Sequence, residues 1–140
     1  IKSIMANVLE YLKGDIEFLI INDNADSWGC KVSEFNRVMG KFSLMNAIKG
    51  SRYSGFEDKE VSSVRVLENG PVRSVIEAVY EYENSFMTVK YIIPRKGFRL
   101  ELSIMVLWNE SDKMLKVKIH IWLIRTSCYC SLYIGFFNLI

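Results

Sequence analysis

Carboxylate pairs in predicted turns are the first candidates for chemistry in this 140-residue chain. The pairs are Asp23 with Asp26, Glu57 with Asp58, and Glu110 with Asp112. Hydrolysis of a glycosidic bond needs two positioned carboxyl groups, one as acid and one as nucleophile or base. Loop carboxylates, however, usually hydrogen-bond to backbone amides or to solvent. Because no pair stands in a context that distinguishes it from an ordinary turn, the residues alone predict no catalytic residue.

The densest polar segment, DNADSWG, runs from Asp23 to Gly29 and contains one tryptophan. In one interpretation it is a loop whose Asx side chains bond to the backbone, while Trp28 caps the core. In the other, Asp23, Asp26 and Trp28 form a sugar-facing rim, because sugars present hydroxyl groups to carboxylates and flat C–H faces to indoles. These three residues are therefore the candidate substrate-proximal residues, and both interpretations stay open.

Metal, thiol and phosphate chemistry have little support in the sequence. His120 is the single histidine, and the three cysteines form no CxxC pair, so we expect no metal site and no cofactor in this chain. Cys128 and Cys130 share one face of a predicted strand as unpaired thiols, which favours a reducing, cytoplasmic location. There is neither a Gly-rich phosphate loop nor a second histidine from which to build a nucleophilic triad.

Charge and hydropathy narrow the possible partners. Eighteen basic and sixteen acidic residues give a formal net charge of +2 without a basic block, which disfavours nucleic-acid binding. The tail 120–140 approaches the apolar length of a membrane span. Two buried strands, about Met114–Ile124 and Cys128–Phe137, are favoured over a span, since Arg125 would lie within it at high cost. We therefore expect no membrane partner.

The elements that must position these residues are predicted to be strands. Apolar residues recur at every second position in Leu100–Trp108 and again in Leu115–Leu123, which predicts a hairpin that turns at Asn109–Asp112. Upstream, Val72–Tyr82 and Phe86–Ile93 alternate in the same way, and Asn69-Gly70-Pro71 is a predicted tight reversal after a strand at Val64–Val66. Five consecutive strands with short connections predict an antiparallel meander or sandwich sheet.

The N-terminal part is predicted with less regularity. The segments Ile1–Met5 and Ile16–Asn22 are expected to be strands, although Ala6–Leu12 could instead form a helical turn. Gly40–Ile48 is a further predicted strand, and Gly50–Asp58 is a predicted loop with Tyr53 and Phe56 as packing residues. The length fits one all-β domain over residues 1–140. Because the chain begins at Ile1, we expect it to be a segment of a longer protein.

Three segments in this order resemble the region after the catalytic domain in glycoside hydrolase family 38, the α-mannosidases. They are Asp23–Phe35 (DNADSWGCKVSEF), Val64–Ile93 and Trp108–Ile119 (WNESDKMLKVKI). The family motifs concerned are D-x-x-D-x-W-G, a G-P-[VI]-R turn and a W-x-E-x-x-K-x-L-K hairpin. The similarity is clear from Ile16 to Ile119 and weaker elsewhere, where His120 stands in place of a common proline.

The resemblance implies a β-sandwich of the galactose-mutarotase-like supersandwich type, incomplete in this chain. It also implies a parent enzyme that hydrolyses α-mannosides with retention, with an aspartate nucleophile and a zinc ion in an N-terminal catalytic domain. No residue here matches the family's nucleophile or metal-ligand motifs. What carries over is structural: Gly70-Pro71 with Arg73 at the reversal, and Trp108, Glu110 and Lys113 at the hairpin.

The leading hypothesis is therefore a C-terminal domain fragment of a retaining α-mannosidase, contributing scaffold and one wall of a carbohydrate cleft. Its expected partners are the catalytic domain of the same enzyme and, through that enzyme, a mannose-containing glycan. Two alternatives stay open. One is a stand-alone carbohydrate-binding module that stacks sugars on Trp28, Tyr53 or Phe56, and the other is a truncated gene product without function.

Overall fold

The computed structural model describes residues 3–6, 9–13, 16–23, 37–97 and 100–119. Ten strands and one helix lie in these residues. In chain order they are β1 (Ser3–Ala6), β2 (Leu9–Lys13), β3 (Glu17–Asn22), β4 (Val38–Lys41), β5 (Ser43–Leu44), α1 (Ala47–Tyr53), β6 (Val64–Asn69), β7 (Arg73–Tyr82), β8 (Ser85–Pro94), β9 (Glu101–Leu107) and β10 (Lys113–Lys118). The predicted all-β class is confirmed.

A five-stranded antiparallel sheet forms the larger layer and contains the predicted meander. Strands β6, β7, β8 and β9 follow one another, while β5 lies beside the end of β7 that β6 leaves uncovered. The reversal predicted at Asn69-Gly70-Pro71 is confirmed, because the Gly70 N–H donates to the Arg73 carbonyl at 3.0 Å. At the next reversal, Glu83 adopts a φ of 46°, which closes β7 onto β8 in a short turn.

The second layer is a three-stranded sheet in the order β10-β3-β4. It shows that the hairpin predicted between Leu100–Trp108 and Leu115–Leu123 is wrong, because β10 pairs with β3 and not with β9. Residues 109–112 instead cross from one sheet to the other. Four residues can span about 13 Å, which exceeds the roughly 10 Å between packed sheets. A short polar connection is therefore compatible with a crossover as well as with a hairpin.

The core lies between these two sheets, as in a β-sandwich. Phe18 and Ile20 of β3 face Ala78 and Tyr80 of β7, and all four are buried. The rings of Phe18 and Tyr80 meet edge to face with 5.3 Å between their centroids. The core is completed by buried residues from β8 and from the β4–β5 connection, namely Phe42, Met87, Val89 and Tyr91.

Helix α1 corrects two predictions, the strand over Gly40–Ile48 and the loop over Gly50–Asp58. The strand character stops at β5, and the chain then turns into a helix of seven residues. Asn46 is the N-cap, because its side-chain oxygen accepts a hydrogen bond from the Lys49 N–H at 2.8 Å. Asn46, followed by the good helix former Ala47, is the local signal for the start of this helix.

Of the remaining N-terminal and C-terminal predictions, some fall on described residues and others fall outside them. β1 and β2 pair antiparallel, so the helical alternative for Ala6–Leu12 is wrong at Leu9–Leu12. The strand predicted at Ile16–Asn22 is confirmed as β3. The predicted tail strand Cys128–Phe137 and the membrane-span alternative lie outside the described residues. In the described part of the chain, no helix has the length and apolar character that crossing a membrane requires.

Candidate functional site

Asp23 is the one predicted substrate-proximal residue that the structure describes. It follows β3 directly, is half-buried, and donates its backbone N–H to the Asp112 carbonyl at 2.8 Å. This bond joins the start of the DNADSWG segment to the crossover at residues 109–112. Asp26 and Trp28 lie outside the described residues, so whether the three side chains converge stays a prediction.

Glu110 is the centre of a hydrogen-bond network at this end of the sandwich. Its carboxylate accepts from the Asn84 N–H at 3.2 Å, from Ser85 Oγ at 2.9 Å and from Lys113 Nζ at 2.9 Å. The side chain is 4% exposed. The first two donors belong to the β7–β8 turn, whereas Lys113 begins β10. One carboxylate therefore ties the crossover to the turn beneath it.

Ser85 completes the tie from the other side. Its hydroxyl donates to Glu110 and accepts from the Asn109 N–H at 2.9 Å, and the residue is 0% exposed. The Asn109 side chain donates to the Asn84 carbonyl at 3.0 Å. The Asn109 backbone N–H, the Ser85 hydroxyl and the Glu110 carboxylate thus each meet a partner of opposite hydrogen-bonding character.

Lys113 holds the same network electrostatically. Its ammonium group lies 2.7 Å from Glu83 Oε2 and 2.9 Å from Glu110 Oε2, and it sits 5.2 Å from the centre of the Tyr82 ring. Hydrogen bonds to Glu83 and Glu110 raise the pKa of Lys113. The hydrogen bond from Lys113, aided by those from Ser85 and the Asn84 backbone, lowers the pKa of Glu110 to about 2.

These values decide what Glu110 can do. A carboxyl group with a pKa of about 2 stays ionised at neutral pH, so it has no proton to give as a general acid. Its two oxygen atoms also already accept hydrogen bonds from three donors. The W-x-E-x-x-K residues therefore shape the connection between the two sheets, and not the hairpin predicted from sequence.

The reversal at Gly70-Pro71 is also a structural tie. Arg73 Nε lies 2.9 Å from Glu68 Oε2 across the turn. From the neighbouring strand end, Arg95 Nε donates to the Gly70 carbonyl at 3.1 Å. The turn predicted from sequence is thus braced by a residue of β8's C-terminal extension that the sequence pattern did not single out.

A polar depression on the outer face of the five-stranded sheet was not predicted. Arg65, Glu77, Lys90 and Ser103 pair in register across β6, β7, β8 and β9, and we name them the Arg65–Ser103 row. Arg65 forms an ion pair with Glu77, and Lys90 Nζ lies 3.8 Å from Glu77 Oε2. Only the cross-strand register, which the alternation of each strand does not give, brings these charges together.

The outer depression, as we name it, is an open cavity of about 510 Å³ above this row. Its other walls come from α1, the loop after it and the neighbouring row of the sheet, and they are Tyr53, Ser54, Thr88 and Met105. Of the two aromatic packing residues predicted here, Tyr53 packs against Phe86 with 5.6 Å between ring centroids and 35° between the ring planes. Phe56 lies over the Arg65 guanidinium at 5.4 Å.

Metal binding finds no support in the part of the chain that the structure describes. Among those residues, no group of three or more His, Cys, Asp or Glu side chains is placed to hold a metal ion. Glu57 and Asp58 are exposed in the loop after α1, and Asp112 is exposed with a φ of 53°. Of the predicted carboxylate pairs, neither Glu57 with Asp58 nor Glu110 with Asp112 is enclosed as a pair of acids.

Comparison with known proteins identifies a family. A family model described as "Glycosyl hydrolases family 38 C-terminal domain" matches residues 10–137. No curated protein and no solved structure matches the chain. The matched range includes the DNADSWG segment, the Gly70-Pro71 turn and the crossover, so the segments quoted for the resemblance all fall within it.

Proposed function

Because the chain belongs to the C-terminal domain family of the family 38 glycosyl hydrolases, we propose that it is the C-terminal β-sandwich of a retaining α-mannosidase. The family match over residues 10–137 is the observation that carries this proposal. In it, the chain supplies scaffold and one wall of the carbohydrate cleft. The nucleophile and the zinc ion belong to the catalytic domain that precedes this region in the parent enzyme.

The roles of the motif residues support a scaffold. Glu110 and Lys113 join the crossover to the β7–β8 turn, and Gly70 is held by Arg95. These contacts use the polar atoms of the motifs to connect strands, which leaves the motifs little capacity for substrate chemistry. Motif residues that connect strands identify a fold, whereas an enzymatic activity depends on catalytic and binding residues.

The cleft wall is proposed at the end of the sandwich where β3 finishes. Asp23 lies there beside the crossover, bonded to Asp112. We expect Asp26 and Trp28 to present the carboxylate and the indole to a mannose unit. Large apolar side chains on the described surface, such as Val66 at 64% and Val72 at 74% exposure, fit a chain that also contacts the catalytic domain.

The test uses the natural gene product and the isolated chain side by side. We expect an antibody against this segment to capture a product much larger than 16.3 kDa that hydrolyses an aryl α-mannoside with zinc present. The pure 140-residue chain should hydrolyse none, with or without zinc. Zinc-dependent turnover by the pure chain would contradict the scaffold role, and a captured product active only on other glycosides would contradict the α-mannosidase assignment.

Within the captured enzyme, Trp28→Ala tests the cleft wall. Loss of a stacking surface should raise KM for the mannoside several-fold, with little change in kcat, because the indole is expected to bind substrate and transition state alike. Trp108→Phe, at a half-buried tryptophan that packs against the core, is the matched control. An unchanged KM in Trp28→Ala would remove this residue from the cleft.

A further inference from the structure

We propose that the outer depression is a second carbohydrate site, one that binds a neutral sugar unit away from the rim at Asp23. The choice of a sugar as ligand rests in part on the proposed function, since a glycosidase domain works beside glycan chains. The site itself is argued from the Arg65–Ser103 row and the walls above it.

The row alternates groups that donate and accept hydrogen bonds. Arg65 and Lys90 flank Glu77, with Ser103 next in line. Lys90 Nζ is 3.8 Å from Glu77 Oε2, beyond hydrogen-bond reach, so both groups have capacity for a further partner. A sugar carries hydroxyl groups that donate to a carboxylate and accept from an ammonium group at the same time. The row therefore matches a polyhydroxyl ligand.

The Glu77 carboxylate disfavours an anionic ligand at Lys90. Glu77 stands between the two cations and offsets one of their two positive charges, and its side chain is only 10% exposed. A phosphate or carboxylate that reached Lys90 would also face the Glu77 carboxylate, and like charges at that separation repel. A neutral sugar is not repelled by Glu77, because its hydroxyl groups can donate to the carboxylate and accept from Lys90.

Two polar groups at the walls also need partners. Within the described residues, Ser54 Oγ and Arg65 Nη1 are the buried side-chain polar atoms without a hydrogen-bond partner. Both residues line the outer depression. Unsatisfied buried groups are uncommon in folded proteins, and a site that awaits a ligand is one reason for them. Because both atoms are buried, a sugar reaches them only if the surrounding side chains shift.

The remaining walls suit the apolar faces of a sugar. Tyr53 is half-buried, and its ring packs at a tilt against Phe86 at the edge of the depression. Met105 is 64% exposed on β9 and adds a flexible apolar surface to the same depression. The volume of about 510 Å³ lies within the range of small-ligand sites, roughly 300 to 1,000 Å³.

The experiment is a titration of the full chain, labelled with ¹³C at the methionine methyl groups, with α-linked mannotriose. Met105 lines the depression, whereas Met87 is 0% exposed in the core and serves as the internal reference. We expect a saturable shift of the Met105 signal at millimolar sugar, with the Met87 signal unchanged. Glycerol at equal concentration controls for a general solvent effect.

Two variants locate the binding. Lys90→Ala and Ser103→Val should each weaken it by about tenfold, because each removes one hydrogen-bonding group from the row. Lys116→Ala, an exposed lysine on β10 in the other sheet, should leave the affinity unchanged. If Lys90→Ala displaces the Met87 signal, and so disturbs the fold, Ser103→Val decides, since Ser103 is exposed.

Three results would overturn the proposal: no shift of Met105, a shift that both variants retain, or tighter binding of inorganic phosphate than of mannotriose. The first would leave the α-mannosidase proposal intact, because that proposal depends on the captured enzyme and its activity. A captured enzyme without mannosidase activity would, in turn, leave a measured Met105 shift standing as sugar binding.

Discussion

Glu110 shows how a carboxylate in a polar run can have a structural role that its sequence context hides. Three donors converge on it from the β7–β8 turn and from β10. Hydrogen bonds to the charged form stabilise that form, so the folded chain binds a proton at this group less readily than the unfolded chain does. The stability of the fold is thereby linked to pH.

The sign of that linkage predicts acid sensitivity. The pKa of Glu110 is about 2 in the folded chain, against 4.5 as its ordinary value. Its contribution is therefore fully present above pH 4.5 and is lost as the pH falls from 4.5 towards 2. Glu110→Gln should lower the urea midpoint at pH 7 and flatten its decline over that acid range. Urea unfolding at a series of pH values measures both effects.

Glu57→Gln is the matched control for Glu110, because Glu57 is exposed in the loop after α1. It should leave the urea midpoint and its pH profile close to those of the unsubstituted chain. If Glu110→Gln retained the full acid-induced loss of stability, carboxylates other than Glu110 would have to account for it.

At the scale of elements, helix α1 depends on a close approach to the sheet. A Cβ atom at Gly50 would collide with Ser63 Oγ and lie 3.2 Å from Val79 Cγ2. Both neighbours are buried, and Val79 is β-branched, so neither can move away easily. The glycine that favoured a loop in the sequence is thus required by packing.

Gly50→Ala tests this contact. Alanine is a better helix former than glycine by about 1 kcal/mol, whereas overpacking a tight contact costs about 1–3 kcal/mol. We expect the packing cost to prevail and the free energy of unfolding to fall, as measured by denaturant titration. Gly70→Ala is the control, since a Cβ there lies 3.6 Å from its nearest neighbour. A more stable Gly50→Ala chain would contradict the close approach.

At the scale of the whole molecule, two sheets of different size share one core. The smaller sheet contributes Phe18 and Ile20 from its central strand β3, which lies between β10 and β4. Because β10 is joined to β9 only through the crossover, burial at β3 and the ties around Glu110 both hold the layers together.

Ile20→Ala measures how far that shared core stabilises the fold. Ile20 is 0% exposed, and its truncation leaves a cavity that the facing sheet cannot fill. The free energy of unfolding should fall by about 2–5 kcal/mol. Val72→Ala, at a residue 74% exposed, should change it by less than about 0.5 kcal/mol. Equal effects of the two substitutions would mean that β3 does not pack between the layers as described.

The amino-acid sequence by itself determined the strands of the meander, the reversal at Gly70-Pro71 and the all-β class. Alternation with period two and turn residues are local properties, and a strand with one buried face displays them directly. The order of the quoted motifs likewise indicated the family, which the match over residues 10–137 confirms. Helix α1 was missed, because it has only seven residues and contains Gly50, a poor helix former.

The tertiary structure alone decided which strands are neighbours. Alternation tells which side of a strand is buried, but β9 and β10 bury residues in the same core whether they pair or face each other across it. The pairing of β10 with β3 determines the structural role of Glu110. The register of β6 to β9 aligns the Arg65–Ser103 row. Both depend on contacts between residues distant in the chain, which no local pattern encodes.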